Sequence, residues 1–238
     1  MINMETFVEG IKELELEFTE DQLNKFEKYK QLLKEWNEKI NITAIKDDKE
    51  IDIKHFLDSI TVLKTGYIKG NEKIIDIGTG GGFPGLPIKI LYDDSQVVLL
   101  DSLNKRIKFL NEVINELELD NIRTIHGRAE DFGKDEEYRE QFDVVVSRAV
   151  ASLNILAEYC LPFVKVGGVF IAMKGPEINE EYEDAKKALD LLGGKLEEKF
   201  DIMLPFTDIT HTLLVIKKTK TTPTKYPRNP GKPKKNPL

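Results

Sequence analysis

Asp76-Ile77-Gly78-Thr79-Gly80-Gly81-Gly82-Phe83-Pro84-Gly85 follows directly on the short apolar run Lys73–Ile77. The run reads as a strand, the glycines as a sharp turn, and Pro84 as the first position of a helix, where a missing N–H costs nothing. Glycines allow the tight backbone and let a ligand approach with no Cβ in the way. Working outward, strand and helix alternate. Gln96–Leu100 reads as a strand ending at Asp101, Leu103–Leu117 as an amphipathic helix, Asn121–His126 as a strand, and Phe142–Val146 as a strand buried on both faces. Leu153–Phe163 and Glu177–Leu192 read as helices and Gly168–Met173 as a strand, while Leu196–Leu204 and Thr212–Lys217 form a closing antiparallel pair. This order predicts an α/β, Rossmann-like fold with a mostly parallel seven-stranded sheet covered on both faces. Its ligand edge lies at the C-terminal ends of the strands.

Residues 1–65 read instead as a helical extension. Thr19-Glu20-Asp21-Gln22 has the capping-box pattern, and Leu23, Phe26, Tyr29, Leu33 and Trp36 follow at helical spacing. A second helix is expected over Ile51–Leu63, with Ile53, Phe56, Leu57 and Ile60 on one face, and Asn41-Ile42-Thr43 reads as the loop between the two. The chain thus divides into a helical extension (1–65), a cofactor-binding α/β domain (66–218) and a basic tail (219–238).

No stretch approaches the roughly 20 apolar residues that span a bilayer, and the first residues lack the pattern of a secretory signal. The single cysteine, Cys160, excludes an internal disulfide and a cysteine metal cluster, and it falls inside a helix as a core residue would. No metal site is expected, and the reducing cytoplasm is the expected compartment. Formal net charge is −7, unevenly spread: Lys217–Leu238 holds eight Lys/Arg and no Asp/Glu, so all 42 acidic residues precede it. Charge alone leaves the tail as either a solvated end or a phosphate-binding arm.

The glycine run has two formal readings. Gly80-x-Gly82-x-x-Gly85 fits the dinucleotide fingerprint, as in nicotinamide or flavin oxidoreductases. Asp76-x-Gly78-x-Gly80-x-Gly82 fits the loop of S-adenosylmethionine (SAM) enzymes, in which the acid orders the loop and can reach the amino-acid end of the cofactor. Asp101, 23 residues after Gly78, can accept two ribose hydroxyl bonds in either case, or cap the next helix. Gly127-Arg128-Ala129-Glu130-Asp131 follows the third strand, where the amide of Ala129 or the Glu130 carboxylate can meet an adenine amino group. Val146-Ser147-Arg148-Ala149 follows the fourth, where methyl acceptors sit, and an arginine on that edge is seldom there for packing. An Asn/Asp-Pro-Pro-aromatic motif for exocyclic amines is absent, as is a Pro-Cys nucleophile for pyrimidine carbon chemistry.

Taken together the chain resembles the bacterial 16S rRNA guanine-N7 methyltransferases of the G type, also called glucose-inhibited division protein B. The resemblance runs from Trp36-Asn37 and Asn41-Ile42-Thr43-Ala44-Ile45 through His55-Phe56-Leu57-Asp58-Ser59, Asp76–Gly85, Asp101-Ser102, Lys105-Arg106 and Phe109-Leu110. It continues with Arg128-Ala129-Glu130, Ser147-Arg148-Ala149, Lys174-Gly175 and the tail from Tyr226-Pro227-Arg228 to Pro237-Leu238. It implies a class I SAM-dependent methyltransferase fold with an N-terminal helical extension, SAM as cofactor, and methylation of one guanine at N7 in the 530 loop of 16S rRNA in the small ribosomal subunit. By motif the cofactor contacts are Gly78, Phe83, Ala129, Glu130 and Arg148, joined by Asp76, Gly80 and Asp101 from the loop reading. The family often carries an arginine before the last strand, where this chain has Thr210-His211-Thr212.

Guanine N7 carries a lone pair and no proton, so no general base is expected, and positioning by Arg148 is the catalytic role assigned. Phe83 is a candidate stacking surface for a base turned out of its stack, and a phenylalanine in a loop is as often a packing residue. Lys217, Lys218, Lys220, Lys225, Arg228, Lys232, Lys234 and Lys235 are candidates to meet phosphates, with Tyr226 to stack. His55, Thr43, Asn41, Asp58 and Ser59 read as structural support. The expected partner is 16S rRNA within the small subunit, bound by a monomer with no membrane contact. Competing readings are an oxidoreductase, a non-catalytic RNA-binding protein that has kept the fold, and a methyltransferase acting on protein or a small molecule.

Overall fold

The computed structural model describes residues 3–148, 150–176 and 178–238. Ala149, expected at the end of the Val146-Ser147-Arg148 edge, and Glu177, expected to open a helix, lie outside the described residues, as do Met1 and Ile2.

The seven strands are β1 (Lys73–Ile77), β2 (Gln96–Asp101), β3 (Ile122–His126), β4 (Phe142–Arg148), β5 (Val164–Lys174), β6 (Gly194–Met203) and β7 (Thr210–Lys218). They form one sheet in the order β3-β2-β1-β4-β5-β7-β6. Only β7 runs antiparallel to its neighbours, pairing β5 and β6. Strand order reverses between β1 and β4, and at such a switch point the connections leave on opposite faces and open a crevice at the strands' C-terminal ends. This is the expected class I architecture.

Side-chain alternation along the strands divides the core in two. Ile74, Val97, Val144 and Val169 face one layer, and their neighbours Ile75, Val98, Val145 and Phe170 face the other. The first layer is α5 (Gly85–Leu91), α6 (Asn104–Glu116) and the N-terminal helices; the second includes α8 (Leu153–Cys160) and α9 (Asn179–Leu192). Cys160 is buried in the second layer, where the helical reading put it.

The N-terminal residues are α1 (Glu5–Glu13), which the sequence had not singled out, α2 (Glu20–Ile40), and a broken helical stretch. The capping box forms: Gln22 N donates to Thr19 Oγ1 at 3.2 Å and Thr19 N to Gln22 Oε1 at 2.8 Å. Phe7, Phe26, Tyr29 and Phe56 share a core with Leu99 and Val146 of the sheet. The expected helix over Ile51–Leu63 is not continuous. It is α3 (Asp48–Ile51), a π-helical turn over Asp52–Leu57, α4 (Asp58–Ile60) and a 3₁₀ turn over Thr61–Thr65. Its apolar face is buried as expected, while the wide turn marks where tertiary contacts override helical regularity.

The tail after β7 is folded onto the body, so of the two readings that charge left open it is not a solvated end. Lys218 is fully buried, donating to the carbonyls of Leu161 (2.6 Å) and Val164 (3.2 Å). Arg228 pairs with buried Glu158, Nη2 to Oε2 at 2.6 Å and Nε to Oε1 at 2.9 Å. Arg139 donates to the carbonyls of Thr222 and Tyr226. Tyr226 is buried, so it offers no face to a base, and Lys220 pairs with Asp190 at 3.0 Å. Of the eight basic residues, Lys225, Lys232, Lys234 and Lys235 remain exposed without an ion pair among the described residues.

Candidate functional site

The turn after β1 is built around Asp76. Its buried Oδ2 accepts from Thr79 Oγ1 at 2.7 Å and from Gly85 N at 2.8 Å, nine residues on, which closes the loop on itself. Gly85 has no room for a side chain, since a Cβ there would meet Leu99 Cδ2 at 2.4 Å and Asp76 Oδ2 at 2.9 Å. Burial pushes the Asp76 carboxyl up to about 7, only partly offset by its bonds to Thr79 and Gly85. Fully buried, Asp76 faces neither hollow described below. Its bonds to Thr79 and Gly85 are the loop-ordering role expected of it. Tyr29 of α2 donates its hydroxyl to Gly81 O, so the N-terminal helices also hold the loop.

Asp101, at the end of β2, spans both sides of the switch point. Its Oδ2 accepts from Gly80 N at 2.8 Å and its Oδ1 from Leu103 N at 2.9 Å, just before α6, with Arg106 at 3.3 Å. Asp101 thus ties the glycine loop to the segment that leads into α6; the bond falls on Leu103 N, ahead of the first helical residue, and is not a side-chain cap of the helix. Asp101, Gly78, Gly80, Phe83 and Arg148 line a hollow of about 470 Å³. A second hollow of about 180 Å³ shares Gly78, Ser102 and Val150 with it and is lined by Ile77, Leu100, Ala129 and Glu130. Ala129 and Glu130 open the short helix α7 (Ala129–Phe132). Glu130 is buried, and its Oε1 accepts from Gly231 N of the tail at 3.0 Å. An acid at the junction, glycine backbone on one side and an apolar slot on the other fit a nucleoside with a charged extension, as SAM has. Gly80, at φ +62°, leaves the approach open on the loop side, with no atom nearer than 4.0 Å to where a Cβ would stand.

Phe83 lines the larger hollow but has no free face. His55 is stacked on it at 4.6 Å and 9°, and Tyr29 lies near-parallel at 5.5 Å. The expected role as a stacking surface for a flipped base is corrected to a packing role that positions His55.

Arg148, the last residue of β4, is gripped by the π-helical turn. Its Nη1 donates to Asp58 Oδ2 at 2.6 Å and to Lys54 O at 3.0 Å, and its Nη2 lies 3.3 Å from His55 Nδ1. Arginine cannot accept, so His55 Nδ1 does, and His55 Nε2–H donates to Thr43 Oγ1 at 2.7 Å. Burial, and then the Arg148 charge, push His55 down to about 4, so it is neutral at physiological pH. Asp58 is buried too, which raises its carboxyl, but the bond from His211 and the Arg148 charge outweigh this and lower it. His211 Nδ1 bonds the other oxygen of Asp58, and that bond holds the imidazole above its usual value.

Beyond Arg148 and His55 lies a third hollow of about 600 Å³, walled also by Asp58, His211, Lys174 and Glu181. The two large hollows share only His55 and Arg148. The predicted residues Gly78, Gly80, Phe83, Asp101, Ala129, Glu130 and Arg148 thus converge on one cleft. Asp58 and His55 were read as structural support; they are the grip on Arg148. Their signal was visible as a polar pair on an otherwise apolar helix face, but nothing local says that it faces residue 148.

A family model described as GidB, rRNA small subunit methyltransferase G, matches residues 22–202. The chain is 55% identical over 230 residues to the ribosomal RNA small subunit methyltransferase G of Alkaliphilus oremlandii, covering 97% of this chain and 96% of that protein. It is 56% identical over 221 residues to the protein of the same name from Clostridium tetani, covering 93% and 92%. Among solved structures it is similar to M. jannaschii TYW2 in complex with AdoMet, with TM-score 0.52 and 19% identity, over 68% of this chain and 76% of that one.

Proposed function

Because the chain belongs to the rRNA small subunit methyltransferase G (GidB) family, we propose that this SAM-dependent rRNA methyltransferase acts on N7 of one guanine in the 530 loop of 16S rRNA. SAM, when bound, supplies an electrophilic methyl group. The backbone of Gly78 and Gly80 would cradle it, Asp101 would accept the ribose hydroxyls, and the Ala129 amide with Glu130 would meet the adenine. Guanine N7 has no proton to lose, which suits a site where the one central imidazole, His55, is neutral with both nitrogens engaged. The residues' work is orientation, and holding reactants in line is worth on the order of 7–11 kcal/mol. Arg148 spends three N–H groups on Asp58, Lys54 and His55, so its two others are left to steady the base at O6. It would not donate to N7, because a donor there occupies the nucleophilic lone pair.

The observation that carries this reading is the pair of large hollows meeting at Arg148 and His55, one walled by the glycine loop and the other by cationic and polar side chains. Such a site needs the base turned out of its stack and into the second hollow. Action as a monomer in the cytoplasm belongs to the same proposal. The test is transfer from methyl-labelled SAM to small ribosomal subunits lacking the modification, with chromatography of the nucleosides. Label in 7-methylguanosine is expected. No label despite measured SAM binding would overturn the substrate.

A further inference from the structure

Part of the lining of the third hollow comes from β5 and α9. Lys174 ends β5, one position past Met173, which pairs with Arg148 in the sheet. Its Nζ donates to Ala151 O at 2.7 Å and pairs with Glu181 Oε1 at 2.5 Å. Glu181 lies in the first turn of α9, and the same Oε1 accepts from Leu153 N, which opens α8. Both contacts fall on one oxygen. Among the described residues Oε2 has no partner, and the side chain is 28% exposed and lines the hollow. The carboxylate is therefore held rigidly by one oxygen while the other is left as a charged acceptor.

We infer that Glu181 is the residue that selects guanine, accepting from N1–H and the N2 amino group of the flipped base through Oε2; this rests on the function proposed above. The geometry of the base leads there. N7 must face the cofactor hollow, across the wall formed by His55 and Arg148. O6 is next to N7 on the same edge, within reach of the Arg148 donors. N1–H and N2–H₂ then need a carboxylate acceptor among the remaining lining; Asp58 has both oxygens engaged by Arg148 and His211, which leaves Glu181. Adenine also carries N7, so the methyl-accepting atom cannot by itself choose between purines. At the opposite edge guanine donates twice where adenine presents an acceptor at N1, and a carboxylate there accepts the one and repels the other. A buried polar group left unpaired is the strongest basis for rejecting a near-isostere.

The test uses small ribosomal subunits reconstituted on 16S RNA carrying guanosine or inosine at the modified position. Inosine keeps N7, O6 and N1–H and lacks only the N2 amino group. The wild-type enzyme should prefer guanosine by roughly tenfold or more in kcat/KM, the loss of one charge-assisted bond. In Glu181→Gln the amide oxygen can still serve Leu153 N, but a donor replaces the acceptor facing the base. Guanosine methylation should fall and the guanosine-to-inosine ratio should collapse toward one, with SAM affinity unchanged. Lys174→Arg, which keeps the ion pair to Glu181, should keep the wild-type ratio whatever its rate. A wild-type ratio near one, an unaltered ratio in Glu181→Gln, or an equal collapse in Lys174→Arg would overturn the assignment while leaving the reaction intact. A wild-type product other than 7-methylguanosine would instead bring down the proposed function, and this inference with it.

Discussion

Asp58 holds Arg148 across 90 residues of sequence, with Oδ2 2.6 Å from Nη1, while its Oδ1 binds His211. A strand end, a helical turn and the start of the antiparallel strand are thereby tied at one carboxylate. Arg148 and His211 share a buried anion, which fixes the guanidinium in one orientation on the boundary between the two large hollows.

Asp58→Asn should lower kcat/KM for small subunits by about 100-fold, because a neutral amide cannot hold both partners and Arg148 loses its fixed direction. SAM affinity should change far less, since Asp58 does not line the cofactor hollow. Steady-state methylation and calorimetric SAM titration, run side by side, check the split. Equal losses in both would place Asp58 in cofactor binding.

Asp101→Asn should weaken SAM binding by about tenfold or more. An amide has one acceptor oxygen, so it cannot serve Gly80 N and Leu103 N together, and the ribose hydroxyls lose a charged acceptor. Equilibrium binding of SAM measures this, and an unchanged affinity would contradict the placement.

Arg228→Ala should destabilise the protein by about 3 kcal/mol, because it leaves Glu158, 1% exposed, charged and unpaired. For the same reason, removal of the whole tail from Thr221 is a stability experiment: it also strips partners from Glu130 and Arg139. Urea unfolding of the Arg228 variant gives the number directly.

The electrostatic part of RNA binding is better tested on the exposed lysines. Replacing Lys225, Lys232, Lys234 and Lys235 together by Gln should leave the unfolding midpoint in place and reduce the slope of log affinity against log salt. Small-subunit binding across a salt series is the measurement, and an unchanged slope would remove the tail from the interface.

His211 makes stability depend on pH in a defined direction. Its folded value lies above the usual 6.5 because it bonds Asp58. The stabilisation is fully present below the unfolded value and fades as pH rises through the folded one. Wild type and His211→Asn should therefore differ more in urea midpoint at about pH 6 than at about pH 9. A gap that widens with rising pH would contradict the assignment.

Local patterns determined a great deal. Strand, glycine turn and helix are set within a few residues of each other, so Lys73–Ile77 forms a strand and Asp76 orders its loop, as the pattern implied. The alternation of apolar strands with amphipathic helices was enough for a parallel sheet with an antiparallel close, and the capping box at Thr19 formed as written. The tertiary structure decided what depends on which distant groups meet. Phe83 looked free until His55 and Tyr29 covered it. Charge left the tail as either a solvated end or a phosphate-binding arm, because charge is visible in a sequence and the buried acceptors of Lys218 and Arg228 are not. The grip of Lys54, His55 and Asp58 on Arg148 arises from contacts spanning 90 residues or more, where no periodicity reaches.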